Sequence, residues 1–167
     1  DGPQVDGLTA HQVARCAGLS TTELIDRLLA VAPVTATWRA ERRVLRGLSM
    51  KQEVPGNGGP EKMRAGHLFD VILTRDPWMH RTDLAEATGR PPRLTADHDG
   101  RIVADAVADW ARRHGQPFVL ELTGPAGAVF VHGEGGEQLR FDAVEFCRIL
   151  SGRPAAADGL LAVQVPF

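Results

Sequence analysis

The sequence predicts an α+β protein, with an antiparallel helical bundle first and a small domain with an antiparallel sheet after it. Two capping-box patterns, Thr9 with Gln12 and Ser20 with Glu23, begin helices early in the chain. Beyond the double proline at residues 91–92, short apolar or alternating runs are separated by glycine-rich turns, which is typical of antiparallel strands. We therefore predict a helical bundle over residues 1–92 and an α+β domain over residues 93–167.

The composition is that of an ordinary globular domain. The 167 residues are 43% hydrophobic and 24% charged, with a net charge of −2. No apolar run approaches the roughly 20 residues that span a bilayer, and the balanced charge does not call for nucleic acid or an anionic membrane as partner. Cys16 and Cys147 lie in helical patterns and are expected to be free buried thiols, which favours a reducing cytoplasm.

The first two helices are separated by a glycine. The first is predicted over residues 10–17, and the second follows Ser20 with a buried side made of Leu24, Ile25, Leu28, Leu29 and Val31. This outline is shared with the helix-turn-helix of DNA-binding proteins. The second helix, however, presents Glu23 and Asp26, which phosphates would repel, so two packed helices are the favoured interpretation.

A third helix is predicted over residues 35–48, because Pro33 should break the second. Arg39, Arg42, Arg43 and Arg46 form a basic stripe along it, which we interpret as a solvated face in preference to a site for an anionic substrate. Residues 50–63 are rich in glycine and proline and are predicted to be a flexible loop.

A long helix over residues 66–89 carries the main candidate site. Its apolar face is predicted to contain Phe69, Ile72, Leu73, Leu84 and Ala87. Asp76 and His80 lie one turn apart on the same side, so they could share a metal ion, and Asp83 could hold the second imidazole nitrogen. Pro77 should kink the helix between them. The spacing alone also fits an ordinary solvent-facing ion pair, which is the commoner case.

In the second half, residues 97–115 are predicted to contain a helix with Ile102, Val103, Ala106, Val107 and Trp110 on its buried side. Three antiparallel strands are predicted over residues 118–122, 128–132 and 137–141. A helix over residues 144–150 and a last strand over residues 160–165 complete the domain.

Three segments of the chain resemble the maleylpyruvate isomerase family of mycothiol-dependent enzymes: DVILTRDPWMHRTDLAEATGRP, DHDGRIVADAVADWARR and FCRILSGRP. The similarity extends from about Leu8 to the C-terminus and is most specific in WMHRTDLAEATGR and LSGR. It implies a DinB-like helical bundle that binds a divalent metal, typically zinc, followed by a sterol-carrier-protein-like α+β domain.

The resemblance also implies site residues. Asp76 and His80 match the acidic and histidine ligands that the family places four apart on a later helix. The remaining ligand in the family is a histidine on an earlier helix. The segment around His11 resembles the family's sequence after that helix, so we do not assign His11 as the ligand. We therefore expect the ligand helix to precede Asp1, or the metal site to be incomplete.

The C-terminal domain of the family contributes an arginine to the site, and Arg153 in LSGRP matches it. Its guanidinium could bind a substrate carboxylate or, equally, satisfy carbonyls at the end of a helix. The implied reaction is a mycothiol-dependent isomerisation or thiol transfer on a small unsaturated acid, with the thiolate formed at the metal. The alternative that we keep open is a non-catalytic metal- or ligand-binding module.

Overall fold

The computed structural model describes residues 4–54, 59–153 and 157–167 and confirms the α+β class. The chain forms two compact units, Asp1–Val44 and Leu45–Phe167. The first contains two helices, and the second contains a β-hairpin, three longer helices and a three-stranded sheet. The domain boundary predicted after residue 92 therefore lies inside the second unit, and the long central helix belongs to the same unit as the sheet.

The first unit consists of α1 (Gln4–Cys16) and α2 (Thr21–Glu41). The predicted capping box is present at α2, because the Ser20 amide donates to Glu23 Oε2 at 2.8 Å and the Glu23 amide donates to Ser20 Oγ at 3.3 Å. The predicted break at Pro33 is wrong. The helix continues through this residue, although a proline removes one intrahelical donor and its ring crowds the preceding turn.

The predicted buried side of α2 is also wrong. None of the residues of this helix is buried, and its five proposed core side chains are 41–67% exposed: Leu24, Ile25, Leu28, Leu29 and Val31. Periodicity identifies an apolar face but not whether another part of the same chain covers it.

Residues 35–41 of the predicted third helix belong to α2, and a 3₁₀ turn (Arg43–Gly47) and an antiparallel hairpin follow where the rest of that helix and a loop were predicted. Strand β1 (Ser49–Val54) pairs with β2 (Gly59–Arg64), so the prediction of a flexible loop is wrong for these residues. Residues 55–58 of the predicted loop lie outside the described residues. The arginine stripe is consequently divided between α2 and the turn. Arg46 donates from Nε and Nη2 to the Asp70 carboxylate, each at 2.8 Å.

The central helix has three parts: α3 (Ala65–His67), a π-helical segment (Leu68–Ile72) and α4 (Leu73–Thr88). It ends, as predicted, at Gly89, which has a φ of 63°. Pro77 lies inside α4. The predicted apolar face is only partly right: Ile72 is buried, whereas Leu84 is 65% exposed. The buried positions of α4 are Arg75, Trp78, Met79 and Thr82.

After a π-helical turn (Ala96–Gly100), α5 (Arg101–His114) buries the face that the sequence predicts. The three strands β3 (Phe118–Thr123), β4 (Val129–His132) and β5 (Glu137–Asp142) form one sheet in the order β4-β3-β5. Strand β4 is antiparallel to β3, but β5 is parallel to it, so the prediction of a wholly antiparallel sheet is wrong.

Gly136 explains how β5 reaches the far side of β3. Its φ is 90°, and a Cβ built on it would lie 2.0 Å from the Pro117 carbonyl oxygen, just before β3 begins. Only glycine permits both this backbone conformation and so close an approach. The chain therefore crosses the start of β3 and pairs with its other edge, which the alternation of apolar residues could not reveal.

The core of the second unit lies between α4, α5, the sheet and α6 (Ala143–Leu150), and is centred on Trp110, Phe118 and Phe146. Residues 160–165 do not form the predicted last strand. A 3₁₀ turn (Gly159–Ala162) is followed by extended chain, in which the Val165 amide donates to the Leu150 carbonyl at 3.1 Å. No helix in the described part of the chain is both long enough and apolar enough to cross a membrane.

Candidate functional site

Asp76 and His80 meet on the exposed side of α4. His80 Nε2 lies 3.5 Å from Asp76 Oδ1, and the two side chains are 63% and 46% exposed. The spacing of four residues brings them together because it completes slightly more than one helical turn. The pair that the sequence predicts is therefore formed and open to solvent.

Asp83 contacts the other nitrogen of the same imidazole. Its Oδ2 lies 3.2 Å from His80 Nδ1, as the sequence predicts for a residue that orients a histidine. If Nδ1 carries the proton and donates to Asp83, the lone pair of Nε2 is directed to the side on which Asp76 lies. This arrangement leaves one imidazole nitrogen and one carboxylate facing the same small region of surface.

Arg153 anchors Asp83. Its Nε and Nη2 donate to Asp83 Oδ1 and Oδ2, each at 2.8 Å, which is the bidentate geometry of a strong arginine–carboxylate pair. This hydrogen bonding, more than any other contact, holds the pKa of Asp83 below its ordinary value. Arg148 adds a second positive charge, with Nη1 3.5 Å from Asp83 Oδ1. The four predicted residues thus form one connected series: Arg153 holds Asp83, Asp83 holds His80, and His80 faces Asp76.

The donor atoms suit part of a metal site. Zinc binds imidazole nitrogen and carboxylate oxygen at about 2.0–2.2 Å, and two such ligands in tetrahedral geometry lie about 3.3 Å apart. The 3.5 Å between His80 Nε2 and Asp76 Oδ1 is close to that separation. Within residues 4–54, 59–153 and 157–167, however, no three His, Cys, Asp or Glu side chains are grouped to hold a metal. The pair therefore fits two coordination positions and no more.

Sequence reasoning missed the charged centre of the second unit. The Arg75 side chain is 1% exposed and lies on the buried side of α4, one residue before Asp76. It donates to the Asp105 carboxylate at 2.8 and 3.0 Å, to Asp109 Oδ2 at 3.1 Å and to the Pro166 carbonyl at 3.1 Å. Arg75 thus joins α4 to α5 and to the C-terminal segment.

Asp109 remains ionised inside this network. Burial acts to raise its pKa, but the positive charges of Arg113 and Arg75, together with the Arg75 hydrogen bond, outweigh burial and lower it. Arg113 Nε donates to Asp109 Oδ1 at 3.0 Å, and its Nη1 reaches Glu61 of β2. The charges compensate one another in pairs, which is the arrangement of a structural network. The sequence signal for it is that Asp105 and Asp109 lie four residues apart, which places both carboxylates on the same side of α5.

A cleft of about 300 Å³ lies beside this network, between the central helix and the beginning of α5. Its walls carry mixed charges from Asp70, Arg75, Asp97, His98, Arg101 and Asp105. Neither Asp76 nor His80 lines it, so the candidate metal ligands and this cleft are separate features.

Comparison of the chain with protein-family models, with curated proteins and with solved structures finds no match.

Proposed function

We propose that this protein is a divalent-metal-dependent, thiol-using isomerase or transferase of the maleylpyruvate isomerase type, with Asp76 and His80 as two ligands of the metal. The observation that carries the proposal is the pair itself. An imidazole nitrogen and a carboxylate oxygen lie 3.5 Å apart on an accessible surface, and the imidazole is held from behind by a second carboxylate. Zinc is the metal that such a donor set suits best.

The proposal assigns each side chain a task. A bound divalent ion would supply a Lewis acid that lowers the pKa of a thiol such as that of mycothiol. Asp83 would keep His80 in the tautomer whose Nε2 can donate its lone pair, and Arg153 would keep Asp83 ionised and in place. Without this support, the His80 side chain would rotate freely on the helix surface.

Binding of the substrate carboxylate by Arg153 stays a prediction. Two of its nitrogens already donate to Asp83, so a substrate would have to bind the remaining Nη1 or displace Asp83. Within the proposal, Arg153 is accordingly a positioning residue first. The unsaturated acid remains the substrate class because the family resemblance indicates it, and a cytoplasmic location is proposed because both cysteines are free thiols.

Two measurements on one set of variants test the proposal. Zinc content after dialysis and thiol-dependent isomerisation of maleylpyruvate with mycothiol would be compared for wild type, Asp76→Asn and His80→Ala. His98→Ala is the matched control, because His98 is also an exposed histidine of the second unit. We expect zinc and turnover in wild type and the control, and loss of both in the two site variants. Equal zinc in all four proteins would refute the metal assignment.

A non-catalytic metal- or ligand-binding module is the second candidate. The specific observation that favours it is that the described residues supply two metal donors and not three. This alternative predicts the same loss of zinc in Asp76→Asn and His80→Ala, but no turnover in any of the proteins with mycothiol and added zinc. The activity measurement therefore separates the two functions, whereas the zinc measurement tests what they share.

A further inference from the structure

The first unit presents far more apolar surface than a stable pair of helices can leave in water. Seven large apolar side chains of α2 are 41–67% exposed: Leu24, Ile25, Leu28, Leu29, Val31, Val34 and Trp38. Leu8 and Val13 of α1 are exposed to a similar degree. Helices of this length gain most of their stability from burying an apolar face, so a surface of this kind needs a partner.

Five residues of α2 form a seam along one side of the helix. Leu24, Leu28, Val31, Thr35 and Trp38 follow one another at intervals of four, three, four and three, which is the spacing of packed helices in a coiled coil. Thr35 does not interrupt the seam, because its hydroxyl donates to the Val31 carbonyl at 3.0 Å and only its methyl group remains to be covered. The side opposite the seam contains Asp26, Leu29 and Thr37.

We propose that the apolar seam of α2 is a dimer interface, occupied by α2 of a second copy of this chain in antiparallel orientation. The seam is self-complementary about its centre. Val31 lies seven residues from both Leu24 and Trp38, so a two-fold axis at Val31 sets Leu24 of one copy against Trp38 of the other. Antiparallel packing also places the acidic first turn at Glu23 near the basic last turn at Arg39 of the second copy.

The area along the seam reaches the lower limit for a specific dimer. At roughly 100 Å² for each exposed aliphatic or aromatic side chain, the four apolar residues of the seam and the flanking Ile25 and Val34 offer on the order of 600 Å² per copy. Two copies would then bury about 1,200 Å² in total, which is the lower end of the range for specific interfaces. The spacing of the seam is that of helices packed about 20° from antiparallel.

Sedimentation of the full chain tests the interface. We expect wild type to have about twice the chain mass of 18.0 kDa. Leu28→Glu, which places two charges at the seam, should weaken dimerisation by at least 100-fold and give monomers. Thr37→Glu adds the same charge on the opposite side of α2 and should remain dimeric. A monomeric wild type, or a Leu28→Glu protein that dimerises like wild type, would overturn the proposal.

Cross-linking tests the orientation. In a Cys16→Ala background, Val31→Cys should form an intermolecular disulfide under mild oxidation, because the two copies of this position meet at the axis. Leu24→Cys should not, since antiparallel packing separates its two copies by about 21 Å along the helices. Efficient cross-linking through Leu24→Cys, or none through Val31→Cys, would show that the helices do not pair in this way.

Discussion

Replacement of Arg75 by leucine should destabilise the second unit more than any surface change on α4. The substitution keeps a side chain that fits a helix but removes every hydrogen bond that the guanidinium makes to Asp105, Asp109 and the Pro166 carbonyl. Breaking a buried ion pair costs about 3–5 kcal/mol. We expect the lower end, about 3 kcal/mol, because Asp109 keeps Arg113 and the Asp105 side chain is 51% exposed to water.

Urea and thermal unfolding, followed by tryptophan fluorescence, measure this effect. Trp78 and Trp110 are buried in the second unit and report its unfolding. A loss of about 3 kcal/mol corresponds to a fall in Tm of about 10 °C for a unit of this size. Arg140→Leu is the control, because Arg140 pairs with Glu121 on the surface, where an ion pair contributes under about 1 kcal/mol. Equal stability of the two variants would refute a structural role for the buried network.

The pH dependence gives the same prediction a second test. The folded-state pKa of Asp109 is lowered, so its ionisation stabilises the fold above the unfolded-state pKa of about 3.9. This contribution disappears as the pH falls through the lowered folded-state pKa. The difference in unfolding free energy between wild type and Arg75→Leu should therefore be largest near neutral pH and shrink below about pH 4. A difference that stays constant or grows in acid would contradict the charge network as its source.

Two further predictions concern the thiols and the sheet. Cys147 is fully buried, and burial raises its pKa to about 12. A thiol reagent at pH 8 should therefore modify only Cys16 in the native protein and both cysteines in denaturant. Rapid labelling of two thiols in the native protein would contradict the burial of Cys147 in the core. Gly136→Ala should lower the free energy of unfolding, measured by chemical denaturation, by several kcal/mol, because the new Cβ would meet the Pro117 carbonyl. The control Gly135→Ala, which is also at positive φ but in open space, should lower it by about 1 kcal/mol. Similar losses in the two variants would show that the close approach does not matter.

The sequence-based predictions succeed where a local pattern alone determines the structure. The capping box at Ser20, the glycine end of α4 and the buried face of α5 follow from neighbouring residues, and all three are found. The mutual placement of Asp76, His80 and Asp83 follows for the same reason, because these residues lie within two turns of one helix, and their role at a metal stays a prediction. Their mutual distances follow from helical geometry without knowledge of the remaining fold.

Most of the failures depend on partners that are distant in the chain, although two local signals also misled: α1 extends through Thr9, and α2 continues through Pro33. Strand β5 alternates as an antiparallel strand would, yet its position beside β3 depends on the crossing at Gly136. Arg75 is buried because two aspartates some 30 residues later neutralise it, and no local pattern predicts a buried arginine. The link from Arg153 to Asp83 spans 70 residues and was likewise not predicted as a contact. The exposure of the apolar side chains of α2 was not predicted, because burial depends on which other elements pack against a helix.

Nitrogen NMR of the six histidine side chains during a zinc titration tests the functional proposal most directly. We expect zinc to shift the Nε2 resonance of His80 strongly and to leave its Nδ1 protonated beside Asp83. In Asp76→Asn, zinc should not shift the Nε2 resonance. An unchanged His80 spectrum at saturating zinc, or zinc binding through Nδ1 with Asp83 displaced, would contradict the proposal.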